Sequence, residues 1–191
     1  MMRLFIAVDL TERQKKEVHI LQQRLSGELG GVKWVREQGL HITLKFLGEV
    51  DPGRFKDLDA ALSLVSSEAY LFQFCCGGVG VFPAPARAKV IWTGLREGAA
   101  ALISVAALLE TRLQSIGFPA EERPFRPHLT LGRLRYPLPV TNINRIIEQE
   151  SAFGTEPAAA GAFTLYQSRL SRQGAIYDAL RKYNLKENAG N

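Results

Sequence analysis

Cysteine is nearly absent: Cys75 and Cys76, adjacent in sequence, are the two in a chain of 191 residues. Two neighbouring thiols supply neither a disulfide framework nor the ligands of a structural zinc site, and they fit a reducing compartment. Long apolar runs are missing as well. No stretch approaches the roughly 20 residues needed to cross a bilayer. The opening Met1-Met2-Arg3-Leu4-Phe5-Ile6-Ala7-Val8-Asp9 carries one positive charge, a short apolar run and then an acid, too short for a signal peptide. A cytoplasmic protein is therefore expected. The net charge is +5, but Lys and Arg are scattered and form no long basic run. Such a scattered excess solvates a surface, and it gains weight only beside a phosphate site, where a positive field steers polyanions.

What is present suffices for a core. With 46% hydrophobic and 23% charged residues, the composition is that of a soluble globular protein, and a chain of this length buries about 70% of its unfolded surface without cross-links. Arg3 to Leu10 reads as a strand. Thr11 with Gln14 three residues on has the form of a capping box, opening a helix to about Leu29 that Gly30-Gly31 stops. Val32 to Val35 and His41 to Val50 read as extended, and Asp51-Pro52 starts a helix through about Ser67. A strand pair follows, Leu71 to Phe82 and Lys89 to Leu95, then a helix from Ala99 to Ile116. Phe125 to Arg135 is expected as a strand, Thr141 to Glu150 as a short helix, and Gly161 to Leu170 and Ala175 to Tyr183 as closing strands. Strands and helices alternating with hairpins indicate an α+β or mixed α/β protein.

The order of elements repeats. His41-Ile42-Thr43-Leu44 recurs as His128-Leu129-Thr130-Leu131, an offset of 87 residues (128 − 41). Each copy leads through a Pro-containing turn into a helix and two strands, and the same offset carries Val90 onto Tyr177. Two pseudo-equivalent halves facing each other across a groove would make one site out of two motifs. Alternation along a strand places His41 with Thr43, and His128 with Thr130, on one face, while the aliphatic partners point into the core.

Two imidazoles with a hydroxyl beside each suit phosphoryl chemistry. One neutral His takes a proton from an attacking water, one protonated His gives a proton to the leaving oxygen, and an ordinary value near about 6.5 allows both forms near neutrality. Thr43 and Thr130 can donate to the non-bridging phosphate oxygens. No cofactor or metal is called for, since two His and two Thr are a poor ligand set with no carboxylate at motif spacing. His19, inside the first helix, has no partner signature and reads as a surface residue. A single His on a strand is more often structural than catalytic. Two of the three histidines in equivalent contexts change that balance.

These residues resemble the two-histidine (2H) phosphoesterase superfamily and, within it, the bacterial and archaeal RNA 2′,3′-cyclic phosphodiesterases long called 2′-5′ RNA ligases. The likeness runs through Arg3 to Leu10, Leu40-His41-Ile42-Thr43-Leu44-Lys45-Phe46-Leu47-Gly48, Arg123-Pro124-Phe125-Arg126-Pro127-His128-Leu129-Thr130-Leu131 and Ser168-Arg169-Leu170-Ser171. It implies an α+β, bilobal LigT-like fold over residues 1–191, with motif halves at about 41–95 and 128–183. Two pseudo-symmetric, antiparallel-rich sheets would flank a central cleft, with helices outside. It implies hydrolysis of a terminal 2′,3′-cyclic phosphate to a 2′-phosphomonoester, His41 donating the proton and His128 accepting one. Reversal would join a cyclic end to a 5′-hydroxyl. The partner implied is RNA with a cyclic end, tRNA fragments included, and the protein is expected as a monomer.

Supporting residues follow from parity. Strict alternation from His128 puts Arg126 on the site face and Arg133 on the other unless the strand ends or bulges after Leu131. Either guanidinium could bind phosphate with paired hydrogen bonds. Lys45 shares parity with His41. Trp34, Phe5 and Tyr177 are candidates to stack on a base, although aromatics at such positions are commonly core. Two competing readings remain at this stage: an RNA-binding module without turnover, and a 2H enzyme for a small cyclic nucleotide, ADP-ribose cyclic phosphate or 2′,5′-oligoadenylate.

Overall fold

A computed structural model describes residues 1–171 and 174–187; residues 172–173, within the expected second half, lie outside the described residues. Among the described residues, nine strands and four α-helices follow one another as β1 (Met2–Asp9), α1 (Glu12–Glu28), β2 (Val32–Trp34), β3 (His41–Val50), α2 (Phe55–Glu68), β4 (Phe72–Phe82), β5 (Val90–Glu97), α3 (Ala99–Ser115), β6 (Leu129–Leu134), α4 (Val140–Gln149), β7 (Ala158–Ala160), β8 (Ala162–Ser171) and β9 (Gly174–Asn184). Local chemistry accounts for the boundaries. Thr11 and Gln14 exchange both hydrogen bonds of a capping box at the start of α1. Asp51 caps a single 3₁₀ turn, Pro52–Arg54, that runs into α2. Gly117, at φ +83°, takes the left-handed conformation after α3 that glycine tolerates best. β6 is shorter than the expected Phe125 to Arg135, because Pro124 and Pro127 cannot donate to a ladder, so the segment ahead of Leu129 is irregular.

The strands form two antiparallel sheets, β3-β1-β8-β9 and β2-β6-β5-β4-β7. The 87-residue offset organises both. It carries α1 onto α3 residue for residue, β1 onto β5 within a residue, and β3 onto the segment holding β6. In the sheets, β3-β1-β8-β9 then matches β6-β5-β4-β7, which shows that β4 and β8 have been exchanged: each half lends its third strand to the other's sheet. The equivalence of Val90 with Tyr177 therefore holds for the two hairpins but not for position. β5 sits at the centre of its sheet, where it answers to β1, whereas β9 lies at an edge.

Helices follow the same exchange. α1 reaches the five-stranded sheet, where buried Gln14 donates to the Phe74 carbonyl and buried Gln22 to the Val35 and Leu131 carbonyls. α4 packs on β4 of that sheet, while α3 packs on β3 and α2 on β9 of the other. Each sheet thus buries one face under two helices, with Leu4, Ile6, Val8, Ile42, Leu129, Leu131, Ile91 and Phe163 in the core. The opposite faces are free for chemistry. They meet where β3 and β6 run past each other, with Cα atoms within 8 Å.

Candidate active site

Both motifs sit on strands that break step at the same place. β1 pairs Ala7 with Thr43 and Ile6 with Lys45, leaving Leu44 as an extra residue. β5 pairs Trp92 with Thr130 and Ile91 with Gly132, leaving Leu131 as an extra residue. Each is a β-bulge, which resets the alternation that follows it. The burial of Ile42 to Phe46 and of Leu129 to Arg133 then runs in the same sequence: buried, intermediate, buried, buried, exposed. A bulge needs a home for its displaced backbone groups. The Leu131 carbonyl accepts from both the Val35 amide and the Gln22 side chain, each at 2.9 Å.

The bulges correct two expectations from strict alternation. Arg133 lies on the face of Val90, Trp92 and Thr130, which is the His128 face, because Leu131 has taken the extra step. Lys45 leaves the His41 face and is buried beneath it, where its Nζ donates to Glu110 at 2.7 Å and to the Pro119 carbonyl at 3.0 Å. Burial alone would raise the Glu110 carboxyl, but hydrogen bonds from Lys45 and the Glu121 amide hold it below its ordinary value. Lys45 is a structural tie between β3 and the segment after α3, not a phosphate ligand.

His41 is walled by aromatic rings. Phe5 lies 4.9 Å away between centroids, Tyr177 meets it edge-on at 5.2 Å, and Tyr166 stacks at 6.0 Å. Desolvation in this wall pushes the imidazole down to about 4, against the opposing pull of Asp9. Asp9 pairs with His41 in the β1–β3 register. Thr164 Oγ1 donates to it at 2.9 Å and Tyr166 OH at 2.6 Å, so the carboxylate is fixed on the same face. The Tyr166 hydroxyl is in turn raised by burial and by that carboxylate.

His128 immediately precedes β6 rather than lying within it. Its Nδ1 is 2.8 Å from the Arg126 carbonyl. A carbonyl only accepts, so Nδ1 carries the proton and Nε2 presents a lone pair when the ring is neutral. Phe82 meets the ring edge-on at 5.0 Å, and Trp92 does so at 6.4 Å. Trp92 lies flat across Gly80, where a Cβ would stand 2.3 Å from the indole. Thr43 and Thr130 are both half-buried beside their histidines.

Among the residues expected at the site, His41, Thr43, His128, Thr130 and Arg133 share the uncovered faces. Arg126 contributes its carbonyl, while its side chain is exposed and makes no hydrogen bond among the described residues. Phe5 and Tyr177, candidates to stack on a base, abut His41 instead, and Phe5 is buried there. Trp34 does not reach the cleft, because it pairs with Gly132 on the buried side of the five-stranded sheet. Asp9, Phe46, Phe82, Trp92 and Tyr166 escaped the sequence reading. Trp92 was within reach, since the 87-residue offset carries Phe5 onto it. Phe46 answers to Arg133 in the other motif and is 62% exposed on the His41 side. Among the described residues no group of three His, Cys, Asp or Glu side chains could hold a metal ion.

Comparison with known proteins reproduces the internal repeat. The family described as LigT-like phosphoesterase matches residues 8–92 and, a second time, residues 94–177. An RNA 2′,3′-cyclic phosphodiesterase of Archaeoglobus fulgidus is 37% identical over 95% of this chain and 99% of its own. A crystal structure of a Thermus thermophilus protein superposes with a TM-score of 0.82 at 25% identity, covering 96% of this chain and 98% of that one. The Escherichia coli LigT crystal structure in complex with 3′-AMP superposes with a TM-score of 0.76 at 26% identity, covering 96% and 98%.

Proposed function

We propose, for a chain that belongs to the LigT-like phosphoesterase family, that it hydrolyses the 2′,3′-cyclic phosphodiester at an RNA end to a 2′-phosphomonoester. The names of its relatives support the reaction. The bulged strands support the residues, because they carry the His41–Thr43 and His128–Thr130 pairs onto faces that meet at β3 and β6. In this reading the 191 residues act as one bilobal unit, since the exchange of β4 and β8 leaves neither sheet complete within one half.

His128 is the base. The Nδ1 bond to Arg126 fixes the tautomer whose Nε2 removes a proton from the attacking water. His41 is the acid on the departing 3′-oxygen. Its value of about 4 leaves it neutral near pH 7. The negative charge of the bound phosphodiester, added to that of Asp9, supplies the field that protonates it. Thr43 and Thr130 donate to the non-bridging oxygens, where charge grows in the transition state, and Arg133 adds a cation at the rim. The ring walls exclude water, which strengthens each of these interactions.

The test is the reaction itself. His41→Ala and His128→Ala should each lower turnover of a 2′,3′-cyclic nucleotide by at least about 100-fold, the low end for general acid–base catalysis, with folding checked by circular dichroism. Phosphorus NMR should show the 2′-phosphate as main product. Mainly 3′-phosphate would reverse the acid and base, and near wild-type turnover by either variant would remove the two-histidine reading.

A further inference from the structure

The reacting phosphate is a 3′-terminal group, so the body of an RNA substrate must leave the site on its 5′ side. Two rims are available, and their charges differ. On the uncovered face of the four-stranded sheet cations stand with acids: Arg3 is opposite Glu49, and Lys182, opposite Thr164, shares its face with the Asp9 carboxylate in the floor. Charges of the two signs balance there. On the five-stranded sheet, β2 and β6 place Lys33 directly opposite Arg133. Both side chains are exposed, and neither forms an ion pair among the described residues.

Like charges directly across a ladder destabilise a sheet, and here the pair stands on a strand of only three residues, Val32–Trp34, at the sheet edge. The Leu131 bulge is what brings it into use. Without the extra residue, Arg133 and therefore Lys33 would face the core; with it, both stand on the face of Thr130 and His128. A backbone leaving the site along β6 passes Thr130, then Arg133, then Lys33.

Building on the cyclic phosphodiesterase reading, we propose that Lys33, paired across β2–β6 with Arg133, binds a backbone phosphate of the RNA upstream of the cyclic end. The enzyme would then distinguish an oligoribonucleotide from a mononucleotide by this cationic step at the sheet edge. Lys33 touches no reacting atom. Its removal acts on binding of the longer substrate and leaves the chemistry at the terminal phosphate alone.

The test compares wild type, Lys33→Gln, Lys33→Glu and a control, Lys182→Glu, on the exposed rim of the other sheet. Two readouts are used: turnover of a 2′,3′-cyclic mononucleotide, and salt-dependent anisotropy of a labelled single-stranded octaribonucleotide ending in a 2′-phosphate. Lys33→Gln should lower the slope of log affinity against log salt by about 0.7, the value for one phosphate contact on a single strand. Lys33→Glu should weaken binding further, Lys182→Glu should leave the slope unchanged, and mononucleotide turnover should be wild-type in Lys33→Gln, which places no new charge opposite Arg133. An unchanged slope in Lys33→Gln, or equal losses in Lys33→Glu and Lys182→Glu, overturns the proposal. Loss of mononucleotide turnover in Lys33→Gln also overturns it, by making Lys33 part of the reacting site. Absence of turnover in the wild type of both the mononucleotide and an octaribonucleotide ending in a 2′,3′-cyclic phosphate would instead refute the phosphodiesterase reading, while the slopes still decide the RNA path.

Discussion

Binding of an anion between the two histidines should draw a proton from solution, and His41 sets how many. Desolvation holds its imidazole at about 4, against about 6.5 for an ordinary histidine. At pH 6 only about 1% of it is then protonated. An anion that restores the ordinary value raises that to about 75%, so binding takes up roughly 0.75 proton at this residue. Sulfate is a suitable probe because it does not itself titrate in this range. Between about pH 4 and 6.5 the free protein binds fewer protons than the complex, so sulfate affinity should fall as pH rises, by up to about tenfold per unit over a span of about 2.5 units. At about 1.36 kcal/mol per unit the span is about 3 kcal/mol. The unfolded chain also carries an ordinary histidine, so the same difference governs folding. The folded state binds fewer protons than the unfolded one in this window, and stability present above about pH 6.5 is lost as pH falls toward about 4. Calorimetry in two buffers of different ionisation enthalpy measures the uptake directly, and His41→Gln isolates the His41 share. Uptake equal in wild type and His41→Gln, or no uptake at pH 6, would refute both the burial argument and the role of the substrate's charge in arming the acid.

Activity should survive exhaustive EDTA treatment, since two imidazoles handle the protons; turnover abolished by chelation and restored by added metal would contradict this. Gly80→Ala places a Cβ 2.3 Å from the Trp92 indole and should cost about 1–3 kcal/mol in urea unfolding, with a fall in kcat because Trp92 and Phe82 wall His128. Glu110→Gln should destabilise more than Lys45→Met. The first leaves an ammonium whose side chain is 3% exposed without its countercharge, at about 3 kcal/mol, whereas the 26% exposed Glu110 carboxylate can turn to water.

Much of the fold was legible because its signals are local. Thr11 and Gln14 mark the start of α1 by their own hydrogen bonds, and the repeated His-x-Thr-x strings carry both the duplication and the candidate site. Other features depend on partners far away in sequence. Nothing near Leu44 or Leu131 fixes a bulge, since a group that holds the Leu131 carbonyl is Gln22, 109 residues earlier, so strict parity gave Lys45 the wrong face and left that of Arg133 open to a bulge after Leu131. Asp9 was passed over because an acid ending a strand looks like a solvated residue until the register sets it opposite His41. The aromatic walls needed the sheet order itself, which brings Tyr166 of β8 beside Phe5 of β1, their ring centroids 5.2 Å apart.

The exchange of β4 and β8 also fixes how the protein can come apart. The two halves cannot open about the cleft as independent lobes, because parting them breaks the β1–β8 and β4–β5 ladders that hold the middle of each sheet. Asp9 and Tyr166 beside one histidine, and Trp92 and Phe82 beside the other, are therefore braced by strands of both halves, and unfolding should follow one cooperative transition.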